Sequence, residues 1–108
     1  YIFVRSEMTW TLQQKLLPHD EVYEGRFGGL VAISEDRGIV SAWSSPAASA
    51  YVYVRSGTNW TQQGKLIPSD GKKYFAANAY AVAIAMSDGH VVVGLPDNHV
   101  RGNAYVFK

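Results

Sequence analysis

The chain has 108 residues, is 47% hydrophobic and carries a formal net charge of +1 at pH 7. Its ten basic residues are scattered and gather on no stripe, which removes the electrostatic case for nucleic acid or an anionic membrane surface. There is no cysteine, hence no disulfide framework and no thiolate metal site, and the apolar runs are far too short to insert in a membrane.

Taken in order, residues 1–5 are mostly β-branched or aromatic and predict a strand, followed by a tight connection at Ser6-Glu7-Met8-Thr9. Residues 10–17 predict a second strand, with Trp10, Leu12, Gln14 and Leu16 on an apolar-leaning face. Pro18 ends it, because proline cannot donate to a ladder. Residues 19–26 are polar and loop-like. Residues 27–34 predict a small apolar strand, Glu35-Asp36-Arg37-Gly38 a hairpin turn, residues 39–43 a strand, and Ser44-Ser45-Pro46-Ala47 another turn. Residues 48–55 are nearly continuously apolar, as a strand covered on both faces must be. A turn at Ser56-Gly57-Thr58-Asn59 leads to a strand over 60–67. Beyond the loop 68–78, strands are predicted over 79–85, 90–94 and 103–107, with a turn at Ser87-Asp88-Gly89 and a polar loop over 95–102.

The chain repeats itself. Residues 1–20 align with 51–70 without a gap, and eleven of the twenty positions are identical: Tyr1, Val4-Arg5-Ser6, Trp10-Thr11, Gln13, Lys15-Leu16, Pro18 and Asp20 recur fifty residues on. A third copy opens at Tyr105-Val106-Phe107. A period of about fifty residues belongs to propellers and solenoids, and four short strands per repeat describe a propeller blade. The expected fold class is all-β: blades made of four-stranded antiparallel meanders, in an incomplete propeller of about two blades. Residues 1–17 supply strands three and four of a partial blade, 27–67 a complete blade, and 79–108 strands one to three of another. A β-sandwich also uses short strands with regular turns, but its strands are not copies of one another. Both ends cut through the repeat, so the chain reads as a segment of a longer protein, a processed product, or a recombined chain whose only task is to fold.

Phe27-Gly28, then Val31-Ala32-Ile33-Ser34 and the small-residue turn around 42–46, resembles the FG-GAP repeat, as does Val82-Ala83-Ile84 followed by Val91-Val92-Val93-Gly94-Leu95-Pro96. The Tyr-Val-x-Val-Arg-Ser…Trp-Thr-x-Gln-x-Lys-Leu segment resembles the bacterial-type version, distantly like integrin α-subunit heads. The resemblance implies a β-propeller used for adhesion or protein–protein contact, without catalysis, on exported or surface proteins; an extracellular or cell-surface location follows from the resemblance alone. Integrin-type members carry a calcium loop, Asp-x-Asp-x-Asp-Gly, between strands one and two. Here those hairpins read Glu35-Asp36-Arg37-Gly38 and Ser87-Asp88-Gly89-His90. Calcium takes about six to eight oxygens, which these do not supply, so no metal or other cofactor is expected.

The three tryptophans divide. Trp10 and Trp60 open equivalent strands and are expected to pack between blades, each burying a large apolar surface. Trp43 has no counterpart and is expected in a loop, as an exposed contact. The candidate contact residues are Trp43, Ser44 and Ser45, with Asp97, Asn98 and His99, on inter-strand loops held by a rigid scaffold; the loops over 19–26 and 72–78 join them. Asn59-Trp60-Thr61 is an N-glycosylation sequon. His19, His90 and His99 share no zinc spacing, and the serines include no Gly-x-Ser-x-Gly elbow. A rival reading is a carbohydrate-binding or hydrolytic propeller domain, with Trp43 and loop acids lining a pocket. Incomplete blades leave open faces, which predicts a partner: the remaining blades of a larger propeller, or other copies in a homo-oligomer. No nucleic acid is expected to bind.

Overall fold

The computed structural model describes residues 1–20, 26–44, 47–67, 83–95 and 102–108. Every regular element among them is a β-strand: β1 (Ile2–Ser6), β2 (Thr9–Gln14), β3 (Val31–Ser34), β4 (Arg37–Ser44), β5 (Ala47–Ser56), β6 (Asn59–Leu66), β7 (Ala83–Ser87), β8 (His90–Leu95) and β9 (Asn103–Phe107). They form three antiparallel sheets in chain order, β1-β2, β3-β4-β5-β6 and β7-β8-β9. Meanders stacked face against face are propeller blades, and this is an incomplete propeller.

The hairpins close tightly for a local reason. Ser6 pairs with Thr9, Ser34 with Arg37, Ser56 with Asn59 and Ser87 with His90, which leaves two residues in each turn. The first of those two is left-handed every time: Glu7 (φ 54), Glu35 (φ 53), Gly57 (φ 62) and Asp88 (φ 47). A positive φ there gives the turn the twist of the strands it joins.

Several strand bounds differ from the sequence expectation: β2 stops at Gln14 and not at Leu17, and β7 runs to Ser87 and not to Ala85. The stretch 27–34 was expected as one strand, yet β3 begins at Val31. Gly28 takes a φ of 91, a conformation that turns the chain and suits glycine. The turn is fastened to β4: Gly28 N–H donates to the Ser41 carbonyl at 2.9 Å, Leu30 N–H to Ser41 Oγ at 2.8 Å, and Ser41 N–H to the Leu30 carbonyl at 2.9 Å. This is why the buried hydroxyl of Ser41 is tolerated. At its far end β4 runs one residue past the expected strand 39–43, to Ser44, and Trp43 and Ser44 pair with Ala48 and Ala47. Trp43 is therefore a strand residue and not a loop residue; the β4–β5 ladder simply continues past the small side chains.

The core lies in two seams, one on each face of the central sheet. On one face Ile39 and Ala50 pack against Val91 and Val93 of β8, with Leu66, Ile84, Met86 and Phe107 around them. On the other, Val40, Ala42, Tyr51, Tyr53 and Trp60 pack against Leu16, flanked by Ile2 and Phe27. Neighbouring residues of β4 and β5 thus point into opposite seams, as the two-residue period of a strand requires.

A bulge sets which face of β2 meets the central sheet. Phe3 pairs with Leu12 but Ile2 pairs with Gln14, so Gln13 is the extra residue. The same bulge recurs in the second copy, where Tyr53 pairs with Gln62 and Val52 with Gly64. Plain alternation would put Trp10, Leu12, Gln14 and Leu16 on one face. The inserted residue divides them: Trp10 and Leu12 are 64% and 56% exposed, while Leu16 is buried in the seam.

Candidate functional site: the seam between the first two sheets

The densest polar chemistry among the described residues lies where the β1–β2 hairpin and its continuation cross the central sheet. Gln14 clamps the backbone of Trp60 at both ends of one amide. Its Nε2 donates to the Trp60 carbonyl at 2.8 Å, and its Oε1 accepts from Trp60 N–H at 2.7 Å. The side chain thereby imitates one rung of a ladder on the outer strand β6. The bulge lets the neighbouring residue reach the same tryptophan, whose indole Nε1 donates to Gln13 Oε1 at 3.0 Å. A buried indole N–H needs such an acceptor.

The segment after β2 continues the contact. Tyr53 donates its hydroxyl to the Leu17 carbonyl at 3.0 Å, and His19 N–H donates to Gln62 Oε1 at 2.9 Å. Asp20 accepts from the Tyr51 hydroxyl at 3.0 Å and pairs with Lys65 Nζ at 3.3 Å. Lys65 also lies 5.3 Å from the centre of the Tyr51 ring. Phe27, the aromatic of the Phe-Gly pair, meets Tyr51 and Tyr53 edge-on, with centroids 5.9 and 6.4 Å apart.

This packing moves the ionisable groups. Burial pushes the Tyr51 phenol up, and its hydrogen bond to Asp20 and the Asp20 charge push it further, to about 12. Burial does the same to Tyr53, again reinforced by the Asp20 charge, to about 12. For Asp20, burial raises the carboxyl, but the hydrogen bonds from Tyr51, its own backbone and Lys65, with the Lys65 charge, outweigh that and hold it below its ordinary value. The assembly keeps two neutral phenols and one carboxylate in fixed places. It offers neither an activated nucleophile nor a pair of carboxylates, and its chemistry is adhesion of one blade to the next.

Removing the clamp has a stated consequence. Gln14→Ala leaves the N–H and carbonyl of Trp60 in a partly buried seam with neither partner. The expected loss is about 1–3 kcal/mol of stability, read as a lower urea midpoint with unchanged slope.

An apolar cavity of about 740 Å³ opens beside this seam, between β1 and the inner strands of the central sheet, with Phe3, Phe27, Val31 and Ile33 on its walls. Val31 and Ile33 are 68% and 60% exposed, on the face of β3 that points towards the β1–β2 sheet. The strands that cover the equivalent surface on the opposite side of the central sheet are β7 and β8. Among the described residues no group of three or more His, Cys, Asp or Glu side chains could hold a metal ion.

The residues singled out from sequence fare unevenly. Trp60 is packed in the seam, as expected, whereas Trp10 stands exposed. Asn59 is exposed at the β5–β6 turn. Trp43 and Ser44 lie at the end of β4, but their side chains, together with Ser45, Asp97, Asn98 and His99, fall outside the described residues, as does the loop 72–78. The contact residues that the sequence reading passed over are Gln13, Gln14, Asp20, Tyr51 and Lys65. A signal for them existed: Gln13, Asp20, Tyr51 and Lys65 are all positions at which the two copies agree.

Blades that repeat, pack face to face and meet through a fixed polar clamp define a propeller-type module of modular repeats. The FG-GAP repeat family model matches residues 10–53 and 60–107, most of the chain, and the protein belongs to that family. No curated protein and no solved structure gives a significant match to it. FG-GAP repeats form β-propeller-type protein-interaction modules, a generally non-catalytic class typical of extracellular and surface proteins. Among the described residues no helix is long and apolar enough to cross a membrane.

Proposed function

We propose that the protein is a non-catalytic interaction module that works by self-assembly or adhesion, outside the cell or on its surface, through the exposed apolar side chains of its β1–β2 hairpin. The observation that carries this reading is the apolar surface on the β1–β2 hairpin. Tyr1, Phe3, Met8, Trp10 and Leu12 are each more than half exposed, and a contiguous patch of that kind marks an association surface. The edge strand β1 adds unpaired backbone groups to it, which invite another strand.

Analytical ultracentrifugation tests the reading. The expected result is association that deepens with concentration, either between copies or with further repeats of the same type. A compact, folded monomer of a single chain mass at every concentration overturns self-assembly. The rival, sugar binding centred on Trp43, predicts retention on a glycan array that Trp43→Ala abolishes; the expected result here is no such retention.

A further inference from the structure

The outer edge of the central sheet carries little of the usual protection against strand pairing. β6 is the last strand of that sheet, so one side of its backbone faces away from β5. In an antiparallel strand, alternate residues turn both backbone groups to the same side. Trp60 turns its pair outward. Arg55, its partner across the ladder, sends its own N–H the other way, to the Asp36 carbonyl at 2.7 Å, while the N–H and carbonyl of Trp60 both go to Gln14. Gln62, two residues on, faces the same way by alternation. Natural edges are blunted by charge, by proline or by a bulge. The stretch Asn59-Trp60-Thr61-Gln62 has neither charge nor proline, and the bulge comes only at Gln63.

Gln14 supplies what that stretch lacks. Its single amide makes both bonds of a ladder rung at Trp60, but a side chain cannot continue the ladder, so the edge ends there. The stacking of the sheets does not require this residue. In the second copy of the repeat Gly64 stands at its position. Leu66 nevertheless packs against Val91 and Val93 of the next sheet, as Leu16 packs against Val40 and Tyr51.

We propose that Gln14 is an edge guard: it occupies the straight part of the β6 edge and keeps β6 from pairing with the β6 of a second copy. A second copy is the fitting occupant because the stretch complements itself. Antiparallel pairing about a two-fold axis at Thr61 sets Trp60 of one copy opposite Gln62 of the other, and each such pair exchanges both backbone bonds. The exposed Thr61 then faces its own counterpart, and threonine opposite threonine is a favourable cross-strand pair. Within the stretch this register brings no like charges together. Pairing of this kind needs the Gln14 amide displaced from Trp60, so the residue acts by excluding a wrong partner.

The guard does not depend on the exposed side chains of the β1–β2 hairpin, and its test reads β6 alone. The chain has no cysteine, so Thr61→Cys puts a single thiol at the centre of the pairing. The full chain carrying it is incubated with oxidised glutathione. When the thiols of two copies join, one glutathione disulfide is reduced to two glutathione thiols. Non-reducing electrophoresis measures the linked dimer. Adding Gln14→Ala is expected to raise its yield about tenfold or more, through loss of both guarding bonds. Val93→Ala, added instead, loosens a buried contact in the other seam and keeps the guard; it is expected to lower the urea midpoint and leave the yield unchanged. Gln14→Asn, whose shorter amide cannot reach both groups, is the second variant should Gln14→Ala not fold, and it too is expected to raise the yield. Equal yields with and without Gln14 overturn the guard. So does an equal rise from Val93→Ala, or an equal rise when the thiol is moved to the turn by Thr58→Cys. A chain that self-associates but shows no rise on Gln14→Ala loses this inference alone. A chain that is monomeric with Gln14 in place, yet links at position 61 without it, loses self-assembly through the hairpin alone.

Discussion

Trp60→Ala is expected to cost about 3–5 kcal/mol of stability, whereas Trp10→Ala, the same substitution at the same place in the repeat, is expected to stay within about 0.5 kcal/mol. The letters around the two residues agree at Arg-Ser before them and at Thr, Gln and Lys-Leu after them. Only the surroundings differ. Trp60 is 5% exposed, sits among Leu16, Val40, Ala42 and Tyr53, and has its indole and backbone held by two glutamines. Removing the ring opens a cavity in that seam and leaves Gln13 with an acceptor and no donor. Trp10 has most of its surface in water already, so its removal exposes little that was covered. Chemical unfolding of the two variants beside the parent measures the contrast, with far-UV circular dichroism as the probe. Equal losses would mean that Trp10 too is covered in solution, and the association state of the parent at that concentration would then show by what.

The contrast also marks how much of this protein can be read from its letters. The blade order, the hairpins and the three groups of strands are legible because each strand carries its own pattern and each turn its own residues. The opposed faces of β5 are legible for the same reason: an apolar run with no polar alternation has to be covered twice. What the letters hide is the single-residue bulge at Gln13. It leaves the composition unchanged but reverses the sense of every side chain after it. Reading alternation straight through residues 10–17 therefore puts Trp10 and Leu16 together, when they lie on opposite faces. The same holds for residues 27–30, where a β-like composition is overruled by the left-handed Gly28 and its bonds to Ser41. The candidate site escaped for another reason. Loops on a rigid scaffold are the usual place for contact residues, yet the seam is built by strand glutamines and tyrosines, whose value depends on which blade faces them.

Alkaline pH is expected to open the same seam that Trp60→Ala loosens. The hydroxyls of Tyr51 and Tyr53 are held to about 12 in the folded protein, against an ordinary value of 10.0. Between those limits the folded state keeps two protons that the unfolded chain has given up. Stability then falls as pH rises, since the state that binds more protons loses ground. Below pH 10 both states keep these protons and the contribution is constant; it is lost progressively from about pH 10 to about 12. The chain has seven tyrosines, and absorbance at 295 nm follows their ionisation directly. Tyr51 and Tyr53 are expected to stay protonated to a proton concentration roughly a hundredfold lower than an ordinary phenol does, and to ionise together with the loss of folded structure. Tyr53→Phe removes one of the late pair together with the hydrogen bond to the Leu17 carbonyl, and leaves Tyr51 anchored to Asp20. Asp20→Asn takes away the negative charge that reinforces both shifts and the ion pair with Lys65. It is expected to lower the late phenols only in part, since burial, the larger cause, remains, and to lower the unfolding midpoint at neutral pH. If all seven phenols titrated together while the protein stayed folded, Tyr51 and Tyr53 would be open to water, and the blade seam with them.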